Sequence, residues 1–230
     1  MKRSIYSLIG LAVLSASCST FADKEQHSLP QEAVTATIGV ETRTMIGDKN
    51  GNAYKVVWNS GDQIIISTGI SSKDKAVYTT SDHGTPSASF YPEDKAADFS
   101  NGAIAGYPVE NMYLGAPDAD KEVYFTIPQV QTYAPGSFDS GAMPMISEIT
   151  DKAELNFFNA AGVIRLMLST ELQGIKVSSI CLTTSGAIGG ECGYIPQSRK
   201  IFFDDSMQSS NEVILDCPDG IALSKEATAF

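Results

Sequence analysis

The chain is poor in the residues from which catalytic centres and disulfide frameworks are built. Its 230 residues include 4 cysteines, 2 histidines and 1 tryptophan. Three cysteines remain once the N-terminal leader ending at Cys18 is set aside, and so small and odd a number excludes a disulfide framework. Cys181 and Cys192 could bridge across a hairpin and leave Cys217 over. Alternatively, all three are small residues half-buried in strands.

The scarcity of histidine argues against catalysis. His27 lies in a polar segment near the N-terminus, so a Ser-His-Asp site would have to use His83, and no G-x-S-x-G motif accompanies it. Cysteines and histidines with zinc-type spacing are missing. Residues 48–52 (DKNGN) begin like a calcium loop, but Ala53 and Asn59 stand where that loop requires a glycine and an acid.

Phosphate-binding loops are missing as well. Four glycines lie close together, at Gly186, Gly189, Gly190 and Gly193, but no Lys-Ser/Thr pair follows them. They suit a tight connection between strands. We therefore predict that the protein is not an enzyme and that it holds no metal and no cofactor.

Positive charge is also scarce, with 16 lysines and arginines against 27 acidic residues and a net charge of -11. Removal of a leader that contains Lys2 and Arg3 takes away two positive charges, so the exported form carries -13. Such a surface repels nucleic acid and anionic lipid, and we expect no nucleic-acid partner. Beyond the leader, no apolar run approaches the roughly 20 residues that span a bilayer.

Residues 1–18 have the order of a secretion signal. Lys2 and Arg3 are followed by a short apolar stretch from Ile5 to Leu14, and small residues then precede Cys18. We predict that Cys18 is acylated, as in bacterial lipoproteins, so that lipid anchors the protein to the outer membrane at the cell surface. The competing prediction is a cut after Ala22. Residues 19–33 are polar and contain a proline, as is typical of a flexible tether.

After residue 33 nearly every segment has the character of a short strand bounded by turn residues. No stretch outside the leader carries a sustained 3.6-residue apolar period, which excludes long amphipathic helices. Strands at such spacing predict an all-β protein of antiparallel sandwiches. The predicted strands cover residues 34–40, 42–46, 54–58, 63–67, 76–80, 87–91, 102–107, 122–127, 155–158, 163–168, 175–182, 200–203 and 212–215.

We predict two domains, an N-terminal β-sandwich over residues 34–152 and a C-terminal β domain over residues 153–230. The second has only five predicted strands, which is few for an independent sandwich. No closing strand is visible between Ser224 and Phe230. The C-terminal domain is therefore expected either to be incomplete or to leave the edge of a sheet open.

Four segments stand in a recognisable order between about residues 38 and 192. Residues 58–66 have the form W-x-x-G-D-x-I, and residues 128–145 contain P-x-x-Q-x-Y, GSFD and PM. Two apolar segments follow, at 157–168 (FFNAAGVIRLML) and 175–182 (IKVSSICL). Together they resemble Bacteroidetes-type fimbrillin-like (Mfa-like) surface lipoproteins.

Most motif residues have a structural explanation. We expect Trp58 to bury its ring before the turn at Gly61 and Asp62. Since Pro128 cannot donate to a sheet ladder, it should end the strand before it. Gln131 and Tyr133 complete the mid-chain motif, and Gly136 permits the bend at Phe138, whose ring should plug one end of a sandwich. The alternative for Tyr133 and Phe138 is a ligand-binding surface.

The resemblance implies two transthyretin-like antiparallel β-sandwiches, the second expected to be incomplete in this chain, and a subunit of surface pili (a fimbrium) or a related adhesin. In that family a protease cuts after an arginine and removes an N-terminal strand, and the open groove takes a strand from the next subunit. Arg43 matches that arginine by position; the alternative is a solvated arginine on an edge strand. The expected partners are other pilus subunits or copies of this chain.

The chain departs from the family pattern at its C-terminus, where a strand that reaches the neighbouring subunit is expected. It is therefore expected to be a truncated relative, an anchor or tip component, or a protein that does not polymerise. The alternative function is an outer-membrane lipoprotein that binds glycan or a partner protein without polymerising.

Overall fold

The computed structural model describes residues 33–39, 56–118, 122–203 and 205–230. Several predicted features lie outside these residues, namely Cys18, the cut after Ala22, Arg43, the predicted strand 42–46 and the first part of the predicted strand 54–58. Trp58, the last residue of the predicted strand 54–58, forms an isolated bridge with Thr85.

Seventeen strands and four short 3₁₀ turns make up the regular structure of the described residues, so the prediction of an all-β protein is confirmed. The turns are Ser72–Asp74, Phe99–Asn101, Val109–Asn111 and Ser140–Ala142. The strands are β1 (Val34–Ile38), β2 (Gln63–Ser67), β3 (Lys75–Thr80), β4 (Ser87–Pro92), β5 (Ile104–Tyr107), β6 (Met112–Tyr113), β7 (Val123–Ile127), β8 (Val130–Thr132), β9 (Met145–Ser147), β10 (Glu154–Asn159), β11 (Met167–Leu168), β12 (Lys176–Thr183), β13 (Gly189–Ile195), β14 (Lys200–Phe202), β15 (Ser209–Ser210), β16 (Glu212–Ala222) and β17 (Thr228–Ala229).

Seven strands close into a barrel in the order β1, β10, β9, β5, β2, β3, β4, and β4 pairs back to β1. The sequence of β3 shows why these segments form strands. Ala76, Tyr78 and Thr80 are buried while the residues between them are partly exposed. This period of two is what a strand with one face in a core requires.

Three smaller sheets accompany the barrel. In the first, β13 pairs with β7 on one side and with β14 and β15 on the other, and β6 pairs with β7. The second has the order β12, β16, β8, and the third pairs β11 with β17. Two pairings, β1 with β10 and β16 with β8, are parallel. The expectation of purely antiparallel sheets is therefore wrong at these two places.

Two hydrophobic clusters form the core. The first fills the barrel around Trp58 and Phe157. The second joins barrel strands β5 and β9 to β7 and β13, through Ile104 and Ile146 on one side and Phe125 and Cys192 on the other. Neither cluster contains a residue of β12, β16 or β8. Among the described residues, the three-stranded sheet therefore contributes nothing to these two cores.

Strand pairing crosses the predicted limit between residues 152 and 153. Strand β10 lies in the barrel beside β1, while β7 and β8 pair with β13 and β16. Long-range pairing, which local sequence does not encode, connects the two halves. The division into 34–152 and 153–230 stays a prediction.

Two predictions for the second half are wrong. Of the predicted strand 163–168, only Met167–Leu168 is a strand, and it pairs with Thr228–Ala229, where no closing strand was expected. Ile164 is 61% exposed, so this apolar run lacks the packed neighbour that would hold it in a sheet.

The glycine cluster also differs from the prediction, because three of its members lie within β13 and not in a connection. A side chain at Gly193 would collide with the Phe202 ring, and one at Gly189 would approach Val213 to 2.9 Å. These glycines therefore allow neighbouring groups to approach the strand closely.

Candidate functional site

Strand β1 lies between two strands that come from distant parts of the chain. It pairs antiparallel with β4 and in parallel with β10. Beyond the ladder itself, the Ile38 amide donates to the Pro86 carbonyl at 2.8 Å and the Thr35 amide donates to the Ala153 carbonyl at 2.9 Å. Both edges of β1 are therefore occupied.

The side chains of β1 alternate between the barrel interior and its outside. Val34, Ala36 and Ile38 are at most 4% exposed and belong to the barrel core. Thr37 points the other way, and its hydroxyl lies 2.9 Å from that of Ser87. The space between β4 and β10 that β1 fills is a groove. It binds a backbone on both edges and takes every second side chain, and these are the properties of a site for β-strand addition.

Trp58 forms the floor of this groove. It is fully buried, and its Nε1 donates to the Ala36 carbonyl at 3.0 Å. Its ring meets Phe90, Tyr107 and Phe157 edge to face at centroid distances of 5.0, 5.4 and 5.4 Å. The small side chain of Ala36 leaves room for this aromatic cluster. Trp58 therefore couples the position of β1 to the barrel core.

The turn after Trp58 is held by its own side chains. Asp62 Oδ2 accepts from the Asn59 amide at 2.8 Å, and Gly61 has a φ of +92°, which glycine adopts without strain. Asp62 Oδ1 accepts from the Tyr107 hydroxyl at 3.2 Å. The motif residues Gly61 and Asp62 therefore connect the turn to the aromatic cluster.

Burial raises the pKa of Asp62 above its ordinary 3.8, although hydrogen bonds from Asn59 and Tyr107 oppose the shift. Burial, reinforced by the nearby Asp62 charge, also raises the pKa of Tyr107. A carboxyl with a raised pKa binds its proton more readily in the folded chain than in the unfolded one. Asp62 therefore adds stability below the unfolded pKa, and this contribution is lost as pH rises through the folded pKa.

We expect Asp62→Asn to raise the melting temperature most at neutral pH, because the substitution removes the buried negative charge that Asp62 carries there. The change in melting temperature relative to the parent should become less positive as pH is lowered from 7 to 4. Tyr107→Phe removes a donor to the Asp62 carboxylate and so raises the pKa of Asp62 further. The melting temperature of this variant should therefore depend on pH more strongly than that of the parent. Thermal unfolding followed by circular dichroism tests this, and a pH-independent difference for Asp62→Asn would contradict it.

The mid-chain motif lies at one end of the three-stranded sheet. Pro128 directly follows the last residue of β7, and Gln131 Nε2 donates to its carbonyl at 3.3 Å. The Tyr133 hydroxyl donates to the Ala229 carbonyl at 3.3 Å, and its ring lies 5.3 Å from that of Phe230. Tyr133 thus connects this motif to the last residues of the sequence.

Gly136 and Phe138 lie in the loop after β8. Gly136 has a φ of +71°. Phe138 is only partly buried and belongs to neither core cluster, so its role as a plug in a sandwich end stays a prediction. The loop residue that makes the clearest contacts is Asp139. Its carboxylate accepts from the Thr132 amide at 2.8 Å and from the Gly141 amide at 3.2 Å.

The three cysteines of the described residues are free. Cys192 and Cys217 are buried and Cys181 is exposed, so a bridge between Cys181 and Cys192 is not formed. Burial raises the pKa of the Cys192 thiol to about 12, which keeps it protonated and unreactive at neutral pH.

Arg199 makes a contact that sequence reasoning did not find. Its guanidinium lies 3.8 Å from the Phe158 ring centroid, and its Nη2 lies 2.8 Å from Glu148 Oε1. Together with Tyr194, these residues line an open cavity of about 250 Å³. The contact holds the turn between β13 and β14 against the barrel. Its partners are distant in sequence, so no local pattern indicates it.

Other candidate chemistry is sparse within the described part of the chain. His83 is exposed in a loop. No three histidine, cysteine or acidic side chains of the described residues are grouped so that they could hold a metal ion. None of the helical segments described is long and apolar enough to cross a membrane.

Comparisons with family models, with curated proteins and with solved structures each find no match to this chain. The resemblance to fimbrillin-like proteins therefore stays a prediction.

Proposed function

We propose that this chain is a non-enzymatic cell-surface protein, a pilus subunit or fimbrillin-like adhesin, that assembles by β-strand addition. The observation that carries the proposal is the position of β1, which is paired on both edges and completes the barrel core with alternate side chains. In this proposal the barrel and the sheets around it correspond to transthyretin-like sandwich domains.

Cleavage after Arg43 would allow β1 to be exchanged for a strand of another subunit. Arg43 lies between β1 and the residues that lead to Trp58, so a cut after this residue would leave β1 held only by non-covalent contacts. The two larger inward side chains, Val34 and Ile38, together contribute about 4 kcal/mol of burial. Their loss would expose the Trp58 floor to water. A strand from another subunit that fills the same pockets would recover this energy.

The remaining parts of the proposal concern location. The leader directs export, acylated Cys18 anchors the chain in the outer membrane, and the acidic surface keeps the exported part dispersed until strand addition brings subunits together. The partners are then other pilus subunits or copies of this chain.

Cleavage at Arg43 tests the proposal. The chain without its leader is treated with an arginine-specific protease, which does not cut after lysine, and is examined by electron microscopy and light scattering. We expect cleavage after Arg43 to be followed by filaments or higher oligomers. Arg43→Lys is the matched control, because it keeps the charge and removes only the cut after residue 43, while any cut after Arg165 or Arg199 is the same in both chains. It should stay monomeric.

Two outcomes would contradict the proposal. In the first, the chain cut after Arg43 stays monomeric at every concentration examined. In the second, Arg43→Lys assembles as well as the parent. The alternative is an outer-membrane lipoprotein that binds glycan or a partner protein without polymerising. It would be supported if the cut chain stays monomeric and cells labelled against the protein show patches instead of filaments.

A further inference from the structure

Strand β12 presents a long edge that no other described strand covers. It has eight residues and pairs only with β16. Outside the barrel, every other edge strand in the described residues has three residues or fewer. Long open edges bind further strands readily, and proteins usually shorten or protect them.

The backbone groups of this edge point away from the sheet. Ile214, which lies opposite Cys181, donates its amide to the Gln129 carbonyl at 2.7 Å, on the far side from β12. The Thr184 amide instead donates toward β16, to the Asn211 carbonyl at 2.9 Å. Because directions alternate along an antiparallel strand, the amides of Cys181 and Thr183 face the open side.

Charge and proline, two of the features that usually protect an edge, are missing from the central part of this edge. From Val177 to Thr183 there is no charged residue and no proline. The opposite edge of the same sheet differs, because the Asp139 carboxylate accepts the Thr132 amide there at 2.8 Å. One edge of the three-stranded sheet is thus covered by a side chain. The other offers outward backbone groups from Ser179 to Thr183, where the register with β16 is unbroken after an irregularity between Val177 and Ser179.

The two faces of β12 define the chemistry of a strand that would pair with it. On one face, Ser179 and Thr183 lie opposite Asp216 and Glu212 of β16. Within the described part of the chain, neither acid has an ion-pair partner. An added strand would lie about 10 Å from β16, which lysine or arginine can bridge across the small Ser179 and Thr183.

The other face of β12 is apolar. Leu182 is 41% exposed and Ile180 is partly exposed, and they lie opposite Val213 and Leu215 of β16. Neighbouring apolar side chains on an added strand would extend this surface and remove it from water.

We infer that the edge of β12 is a docking site for an extended segment of another protein, in which basic side chains alternate with apolar ones. Backbone hydrogen bonds to Cys181 and Thr183 would supply affinity. The carboxylates of Glu212 and Asp216 would select the basic side chains. The inference goes beyond the proposed function and does not depend on exchange of β1, because it concerns the uncut chain.

Fluorescence anisotropy with two labelled peptides tests the inference on the uncut chain at low salt. One peptide is Lys-Val-Ala-Val-Lys-Val-Thr and the other is Glu-Val-Ala-Val-Glu-Val-Thr, both with blocked ends. We expect the basic peptide to bind at least about tenfold more tightly. Thr183→Pro removes an outward amide and should weaken this binding about tenfold, whereas Thr183→Val keeps the amide and should not.

The double variant Glu212→Gln with Asp216→Asn provides a second measurement that leaves the backbone unchanged. It should abolish the preference for the basic peptide, which keeps the test decisive even if Thr183→Pro fails to fold. Equal binding of both peptides to the parent would overturn the inference. So would self-association of the parent, measured by sedimentation, that Thr183→Pro abolishes, because the occupant would then be a second copy of this chain.

Discussion

Replacing Trp58 with alanine is expected to lower the free energy of unfolding by about 4 kcal/mol, the range measured when a large aromatic is removed from a core. The side chain is fully buried and packs against Phe90, Tyr107 and Phe157. The substitution leaves a cavity at the centre of the barrel. It also leaves the buried Ala36 carbonyl without its donor, which adds a desolvation penalty.

Trp58→Phe separates these two effects. It retains a ring but loses the Nε1 donor, so the expected loss is about 2 kcal/mol. Urea unfolding followed by far-ultraviolet circular dichroism is the measurement, because Trp58 is the only tryptophan. A loss below about 1 kcal/mol for Trp58→Ala would contradict its role as the floor beneath β1.

Replacing Gly190 with alanine is expected to lower the free energy of unfolding by about 3 kcal/mol. Gly190 has a φ of +87°, which disfavours any residue with a Cβ. The added methyl would also collide with the Gln208 carbonyl and lie 2.8 Å from the Ser209 Cα. Backbone atoms cannot rotate away as a flexible side chain can, so the pairing of β13 with β15 must shift.

Gly186→Ala is the matched control for this prediction. It belongs to the same glycine cluster, but no atom lies within 4 Å of its Cβ position and its φ is not positive. Its effect should therefore stay within about 0.5 kcal/mol. Urea unfolding of both variants measures the difference, and equal stabilities would contradict the close approach described for β13.

Strands that alternate buried and exposed residues were predictable from sequence. Ala76 to Thr80 and Ser87 to Tyr91 combine this period with flanking turn residues, and the structure places β3 and β4 there with nearly the same bounds. Strand β13 was missed for a physical reason. Its glycines have turn character locally, and only the distant Phe202 and Gln208 explain why a strand here must lack side chains.

Closure of the barrel could not be predicted, because β1 pairs with β10 across more than a hundred residues of sequence. The candidate groove depends on this pairing. The aromatic residues that surround Trp58 could be listed from the sequence, but their meeting at one place is set by packing. The open edge of β12 is similar. Its strand was predicted, but only the sheet order shows that no other described strand lies beside it.

The mass of the subunits within assembled material tests the exchange of β1 most directly. Filaments formed after the cut at Arg43 would be washed, dissolved in denaturant and weighed by mass spectrometry. We predict that they lack the peptide that carries Val34 to Ile38, because another strand occupies its groove. Filaments in which every subunit retains this peptide would contradict the account.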